Sequence, residues 1–359
     1  MSKRARTAAV AAALAAAGAA ALALGRARTP PIRGADGRPA AGSVASLERV
    51  RLGGVEQTIL VRGRDRTRPV LLFLHGGPGM PGMFLAHAWQ RPLEDDFVVV
   101  HWDRRGAGKS REGIPTASLT VRRVLDDLHE LARLLRARFG QRRILLVGHS
   151  WGSYLGLLAV RERPDDYIAF VGTGQMAGTA EEVRRARREA LLVRAAASDD
   201  AALLARLADA RAAPTEDDVF RYGGELANAT SIWPIVAAGL RAPEYHLGDV
   251  LALKRATDRV NREMQHDVEP RPLEGEIDRV EVPVFFVLGR WDLNAPSELA
   301  AAYLARLDAP VRRLEWLERS AHFPFFEEPE RFRDALLRAH AAARAWNDAG
   351  RQLRTGGAR

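Results

Sequence analysis

The chain has 359 residues, 47% of them hydrophobic, enough to bury a sizeable core as one domain with an insertion or as two domains. It contains no cysteine, which excludes a disulfide framework, a thiolate nucleophile and a cysteine-ligated metal. The net charge of +9 rests mostly on arginines interleaved with acids, as between Glu181 and Asp209; that is a solvated helix face, and without an aromatic-interleaved basic stripe nucleic acid is not an expected partner.

Residues 1–42 read as a targeting segment and linker. Lys3, Arg4 and Arg6 form a positive start, Thr7 to Leu24 is an uncharged alanine-rich run, and Ala21-Leu22-Ala23 offers a cleavage site. The run is also long enough to span a bilayer. The expectation is a signal peptide or a membrane anchor through residues 7–24, with the remainder exported; the alternative is a cytoplasmic protein with an N-terminal extension. Thr29 to Gly42, with three prolines, reads as a linker, so folding is expected to begin at Ser43.

Residues 43–174 alternate strands and helices. Val44 to Leu52 and Val55 to Val61 are expected to form a hairpin across Gly53-Gly54. Val70 to Leu74 and Phe97 to Val100 are short apolar runs, as expected of strands covered on both faces. The first ends in His75-Gly76-Gly77-Pro78-Gly79, a rigid loop whose backbone must approach something closely. The second leads into Asp103 to Ser110, read as a structural turn beside the site because no strand–G-x-x-x-x-G-K–helix arrangement accompanies its glycines. Thr120 to Gly140 is a helix by the spacing of Val121, Val124, Leu125, Leu128, Leu131, Ala132 and Leu135.

Ile144 to Val147 then forms a buried strand, followed at once by Gly148-His149-Ser150-Trp151-Gly152 and a helix. A G-x-S-x-G between strand and helix is a nucleophile elbow, so Ser150 is the expected nucleophile and the Trp151 N–H an oxyanion donor. Gly77 is the expected second donor. After a strand at Tyr167 to Gly172, residues 175–275 lack buried strands and read as an all-α cap. Residues 276–350 resume the strand pattern at Val282 to Gly289 and Val311 to Leu317, with a last helix from Pro329; residues 351–359 read as a disordered tail.

In chain order, Ser150 is followed by Asp292 after one late strand and His322 after the next, the Ser–acid–His order of an elbow hydrolase. Asp278 and Asp308 compete with Asp292. His149 lies within the elbow and should point away from the serine, and His75, His87, His129 and His340 belong to other elements. Within the cap, Glu225 follows Gly223-Gly224 on a turn, so its carboxylate is a candidate to face the serine and bind a substrate amine, flanked by Tyr222, Trp233 and Tyr245; the alternative is a solvated acid.

The runs His75 to Gly79, Asp103 to Ser110, Gly148 to Ser153 and Gly289-Arg290-Trp291-Asp292 each resemble a signature of the proline iminopeptidase-like α/β-hydrolases. The resemblance spans about residues 43–345. It implies the α/β-hydrolase fold, a mostly parallel sheet flanked by helices with an inserted helical cap. It also implies a serine hydrolase, without metal or cofactor, that removes an N-terminal residue, typically proline, from small peptides. Ser153 departs from the glycine common there, and the cap lacks the Trp-Glu pair with which such enzymes bind the substrate amine. The expected function is therefore a Ser150–His322–Asp292 hydrolase, an aminopeptidase or alternatively a carboxylesterase or amidase of small acyl substrates.

Overall fold

The computed structural model describes residues 27–209, 211–264 and 273–356; the expected targeting run at residues 7–24 lies outside them. Among the described residues no helix is long and apolar enough to cross a membrane.

Eight strands form one sheet: β1 (Val44–Leu52), β2 (Val55–Gly63), β3 (Val70–Leu74), β4 (Val98–Asp103), β5 (Ile144–His149), β6 (Tyr167–Thr173), β7 (Val284–Gly289) and β8 (Arg312–Leu317), in the order β1-β2-β4-β3-β5-β6-β7-β8. β1 and β2 pair antiparallel, as do β2 and β4, and every later pair is parallel. The chemistry of each strand matches its seat. β3, β5 and β7 are buried along their whole length, because helices cover both faces of a parallel sheet. β8 ends the sheet and exposes Arg312 and Arg313, charges that discourage further strand pairing.

The crossovers supply those helices. After the short α1 (Ala86–Trp89), α2 (Val121–Phe139) begins where the Thr120 hydroxyl accepts from the Arg123 N–H at 3.2 Å, and it stops at Gly140 in the left-handed region. Its buried side carries Val124, Leu125, Leu128, Leu131, Ala132 and Leu135, as the spacing requires. α3 (Trp151–Glu162) follows the elbow. Between β6 and β7 run α4 (Ala180–Ala197), α5 (Ala201–Ala208), α6 (Glu216–Arg221), α7 (Trp233–Leu240), α8 (Leu247–Glu263) and α9 (Leu273–Glu276). This segment keeps a small core of its own, in which Leu191, Ala195, Leu203, Leu207 and Val219 pack with Leu293. α10 (Ser297–Arg306), α11 (Pro324–Glu327) and α12 (Pro329–Gly356) complete the chain.

Two ends differ from the sequence reading. Residues 29–42 are not a free linker: Ile32 is buried, and Arg62 donates to the Thr29 hydroxyl and the Pro30 carbonyl, each at 2.6 Å. Arg62 is itself buried against Glu94 at 2.7 Å, and its remaining N–H groups need acceptors that this segment provides. At the other end α12 continues through Gly356, beyond the point where a disordered tail was expected, so the run of alanines and arginines extends the helix.

Candidate active site

The strand order creates the site. β3 and β5 are neighbours, but the chain leaves β3 toward β4 on one side and β5 toward β6 on the other, so the loops at their carboxyl ends diverge and leave a crevice. Ser150 stands there at φ 53° and ψ −125°, a conformation that disfavours any side chain by about 1–3 kcal/mol and persists because its neighbours leave no other path. A Cβ on Gly148 would lie 2.5 Å from the Gly152 carbonyl oxygen, and one on Gly152 would lie 2.4 Å from that of Leu74. The elbow therefore requires both glycines. Ser153 is buried; its hydroxyl donates to the Ser150 carbonyl at 2.5 Å and accepts from the Met176 N–H at 3.1 Å, a brace that glycine would lack.

The loop after β3 is fixed from beneath. Arg104, fully buried, donates to the carbonyls of His75 (2.7 Å), Gly76 (2.6 Å) and Pro78 (3.1 Å), and its guanidinium lies 4.6 Å from the centre of the Trp151 ring. Burial lowers its pKa to about 9, with the Asp103 charge opposing, so it stays cationic at neutral pH. The run Asp103 to Ser110 thus acts structurally, as read, and its work is to hold Gly77 beside Ser150.

His322 follows β8 and Asp292 follows β7. The His322 Nδ1–H donates to Asp292 Oδ2 at 2.9 Å, while Asp292 Oδ1 accepts from the N–H groups of Asn294 and Ala295, both at 2.8 Å. The competitors lie elsewhere: Asp278 accepts from the Gly275 N–H, and Asp308 pairs with Arg279 at the surface. Burial pulls the His322 pKa down, but the charge and hydrogen bond of Asp292 and the charge of Glu225 outweigh it and leave the imidazole above its ordinary value. The His149 ring packs against that of His322, with 4.7 Å between their centres. Its Nε2–H donates to the His322 carbonyl at 2.9 Å, and burial, with the positive charges of His322 and Arg104, holds it well below the usual range.

Ser150, Gly77, His322 and Glu225 line one cavity of about 270 Å³, walled by Phe84, Phe323 and Phe325. Glu225 is buried there rather than solvated: Oε2 accepts from Asn294 Nδ2 at 2.7 Å, and its backbone carbonyl accepts from the His322 N–H at 3.0 Å. Burial and the nearby Asp292 charge raise its pKa, against His322, Asn294 and Arg187. Ser150, Gly77 and Asn294 also line a second cavity of about 390 Å³ on the side of α4.

Tyr222 and Trp233 are not brought to either cavity. The Tyr222 hydroxyl donates to Asp200 at 2.6 Å within the insertion, and Trp233, at the start of α7, is 68% exposed. Adjacency in sequence to Glu225 implied neighbourhood, but the turn at Gly223 and Gly224 separates Tyr222 from Glu225, and Trp233 starts a helix on its exposed side. Tyr245 is buried against Asp103, to which its hydroxyl donates.

Sequence reasoning missed the acids that hold the His322 loop. Glu327 Oε2 accepts from the Ala321 N–H and Oε1 from the Ala227 N–H, both at 2.7 Å, so one carboxylate joins the histidine loop to the Glu225 turn. Glu328 accepts from the Arg319 N–H at 2.9 Å and the Ser320 hydroxyl at 2.7 Å. The available signal was a pair of acids directly before the last helix, which also reads as ordinary helix-start chemistry.

Comparison with known proteins agrees with this geometry. The sequence profile described as the alpha/beta hydrolase family matches residues 71–335. A probable aminopeptidase, YbaC, of Bacillus subtilis is 29% identical over 312 residues, covering 84% of this chain and 98% of that one. A proline iminopeptidase of Saccharolobus solfataricus is 31% identical over 132 residues, 35% of this chain and 39% of that one. Among solved structures, a proline iminopeptidase-related protein from Thermus thermophilus superposes with a TM-score of 0.62 at 19% identity, over 84% of this chain and 98% of that one, a likeness of fold.

Proposed function

We propose, given that this chain belongs to the alpha/beta hydrolase family and is a hydrolase of the proline iminopeptidase-like kind, that it is a serine aminopeptidase releasing N-terminal proline or a small residue from short peptides. Ser150 Oγ attacks the carbonyl carbon and His322 Nε2 takes its proton. Asp292 holds the imidazole with its proton on Nδ1 and stabilises the imidazolium that forms. The N–H groups of Gly77 and Trp151 hold the oxyanion, each worth about 2.7–4 kcal/mol by the usual effect of removing one such donor. His322 then protonates the leaving amine, and water, deprotonated by the same imidazole, clears the acyl-enzyme. The helices between β6 and β7 act as the cap over this site.

The observation that carries the peptidase reading is the Glu225 carboxylate in the aromatic cavity with Ser150 and His322. A free α-amino group meeting it gains a charge-assisted hydrogen bond of about 1.5–3 kcal/mol, and a pyrrolidine ring fits among the phenylalanines. Glu225→Gln should raise KM for prolyl amides with a free amine about tenfold. A simple acyl ester has no amine to pair and should lose far less. Equal losses on both would transfer the assignment to the esterase.

Residues 7–24 are proposed to carry the chain out of the cytoplasm, as a cleaved signal or an anchor. Sequencing the N-terminus of protein from its native host tests this, and intact protein soluble in the cytosol would refute it.

A further inference from the structure

The two cavities that meet at Ser150 have opposite polarity. The smaller holds Glu225. The larger is walled by one face of α4, where Ala180, Val183, Arg184 and Arg187 recur at i, i+3, i+4 and i+7, and by Tyr154, Met176 and Leu273. Among the described residues two arginines and no acid line it. Arg187 is fixed, its Nε–H donating to the Leu293 carbonyl at 2.6 Å and Nη2 to Asn294 Oδ1 at 3.2 Å. The other end of the Asn294 amide donates to Glu225 at 2.7 Å, so one side chain ties the carboxylate of the first cavity to the guanidinium of the second. Arg184, three residues before Arg187 on α4, is exposed and has no acidic partner among the described residues.

From this arrangement we infer that the larger cavity is the leaving-group site and that Arg184, with Arg187 behind it, binds a free carboxylate on the leaving group. The substrate class narrows accordingly: dipeptides and tripeptides, whose amine and carboxylate lie a few bonds either side of the scissile amide, rather than the ends of long chains. A guanidinium matches a carboxylate with two parallel N–H bonds. Burial lowers the pKa of Arg187, with the charges of Asp292, Glu225 and Glu216 opposing, so an arriving anion restores interactions that this group lost with water. The inference rests on the aminopeptidase reading for its peptide, but not for its carboxylate.

Two substrate pairs keep those apart: prolyl-alanine against prolyl-alaninamide, and 4-acetoxybenzoate against its methyl ester. Within each pair the members differ in whether the leaving group carries a carboxylate. The full-length enzyme should favour the acid, and Arg184→Ala should lower the acid-to-neutral ratio of kcat/KM about tenfold in low salt, with Arg184→Lys retaining most of it. Taking that ratio within one variant removes intrinsic differences in reactivity and general losses of folding. If only the ester pair is hydrolysed and shows this loss, the aminopeptidase reading fails while the carboxylate site stands. Equal handling of both members in each pair, or a ratio that Arg184→Ala leaves unchanged, overturns the inference.

Discussion

The loops at the carboxyl edge of the sheet and the helical segment between β6 and β7 line the same crevice but are held in different ways. Around Ser150 the backbone is determined from every side: two glycines admit no Cβ, Arg104 gathers three carbonyls, and His149 braces the His322 loop. The helical segment packs a small core of its own, sends Leu226, Ile235, Tyr245, Val260 and Met264 into the two main cores, and is tied to the sheet loops by polar bonds such as Gly224 to Leu293, Glu225 to His322, Ala227 to Glu327 and Asp249 to Lys109. Ser150, His322 and Asp292 all stand on the sheet loops, whereas the helical segment supplies Glu225 and the α4 face of the lining, which can change while those three stay in place. The difference teaches where to expect general losses and where to expect selective ones.

Substitutions at the sheet edge should therefore penalise every substrate alike. Ser150→Ala should remove several powers of ten in kcat, and Asp292→Asn about 10⁴ by favouring the wrong imidazole tautomer, on ester and peptide equally. A substrate-selective loss in steady-state kinetics would break the contrast. Gly152→Ala should cost the fold about 1–3 kcal/mol in urea unfolding along with the activity, because its Cβ must displace backbone at Leu74 and His75.

Glu327 sits on the seam between the two regions and sharpens the comparison. In Glu327→Gln one acceptor becomes a donor facing a backbone N–H, so one tie is lost, and kcat/KM should fall about tenfold with the larger part in peptide substrates. Stability gives a second readout. Burial raises the Glu327 pKa to about 7, against the backbone N–H groups of Ala321, Ala227 and Asn228. The folded state then holds this proton more tightly than the unfolded state, whose pKa is near 4.5. The contribution favours folding at low pH and declines as pH rises through that interval. Denaturation of Glu327→Gln across the same range should lack that decline.

A smaller effect is expected in the pH profile. Since the His322 pKa lies above the ordinary 6.5, kcat/KM should fall with acid through a limb above that value. Glu225→Gln removes one of the charges that raise it, so the limb should move to lower pH. A shift upward would contradict the placement of Glu225 beside the imidazole. The smallest effect is expected at Trp233→Ala, below about twofold on any substrate, because the side chain is exposed and outside both cavities.

Much of the sheet and of the turn geometry at its edge was legible in the sequence. Short apolar runs such as Val70 to Leu74 have little choice but a strand covered on both faces, and Gly148-His149-Ser150-Trp151-Gly152 encodes its turn locally because steric exclusion acts between near neighbours. The order Ser150, Asp292, His322 likewise follows from which strand ends precede them. Only the tertiary structure decided that Asp292 rather than Asp278 or Asp308 meets the histidine, and that Glu225 turns inward while Tyr222 and Trp233 turn away. It also decided that Glu327 reaches Ala227, 100 residues earlier, and that Asn294 joins Glu225 to Arg187. The physical reason is one of range. Dihedral preference and hydrophobic period fix what a segment becomes. Which polar side chain ends in a dry crevice depends on how separately formed elements dock, and no local pattern carries that information.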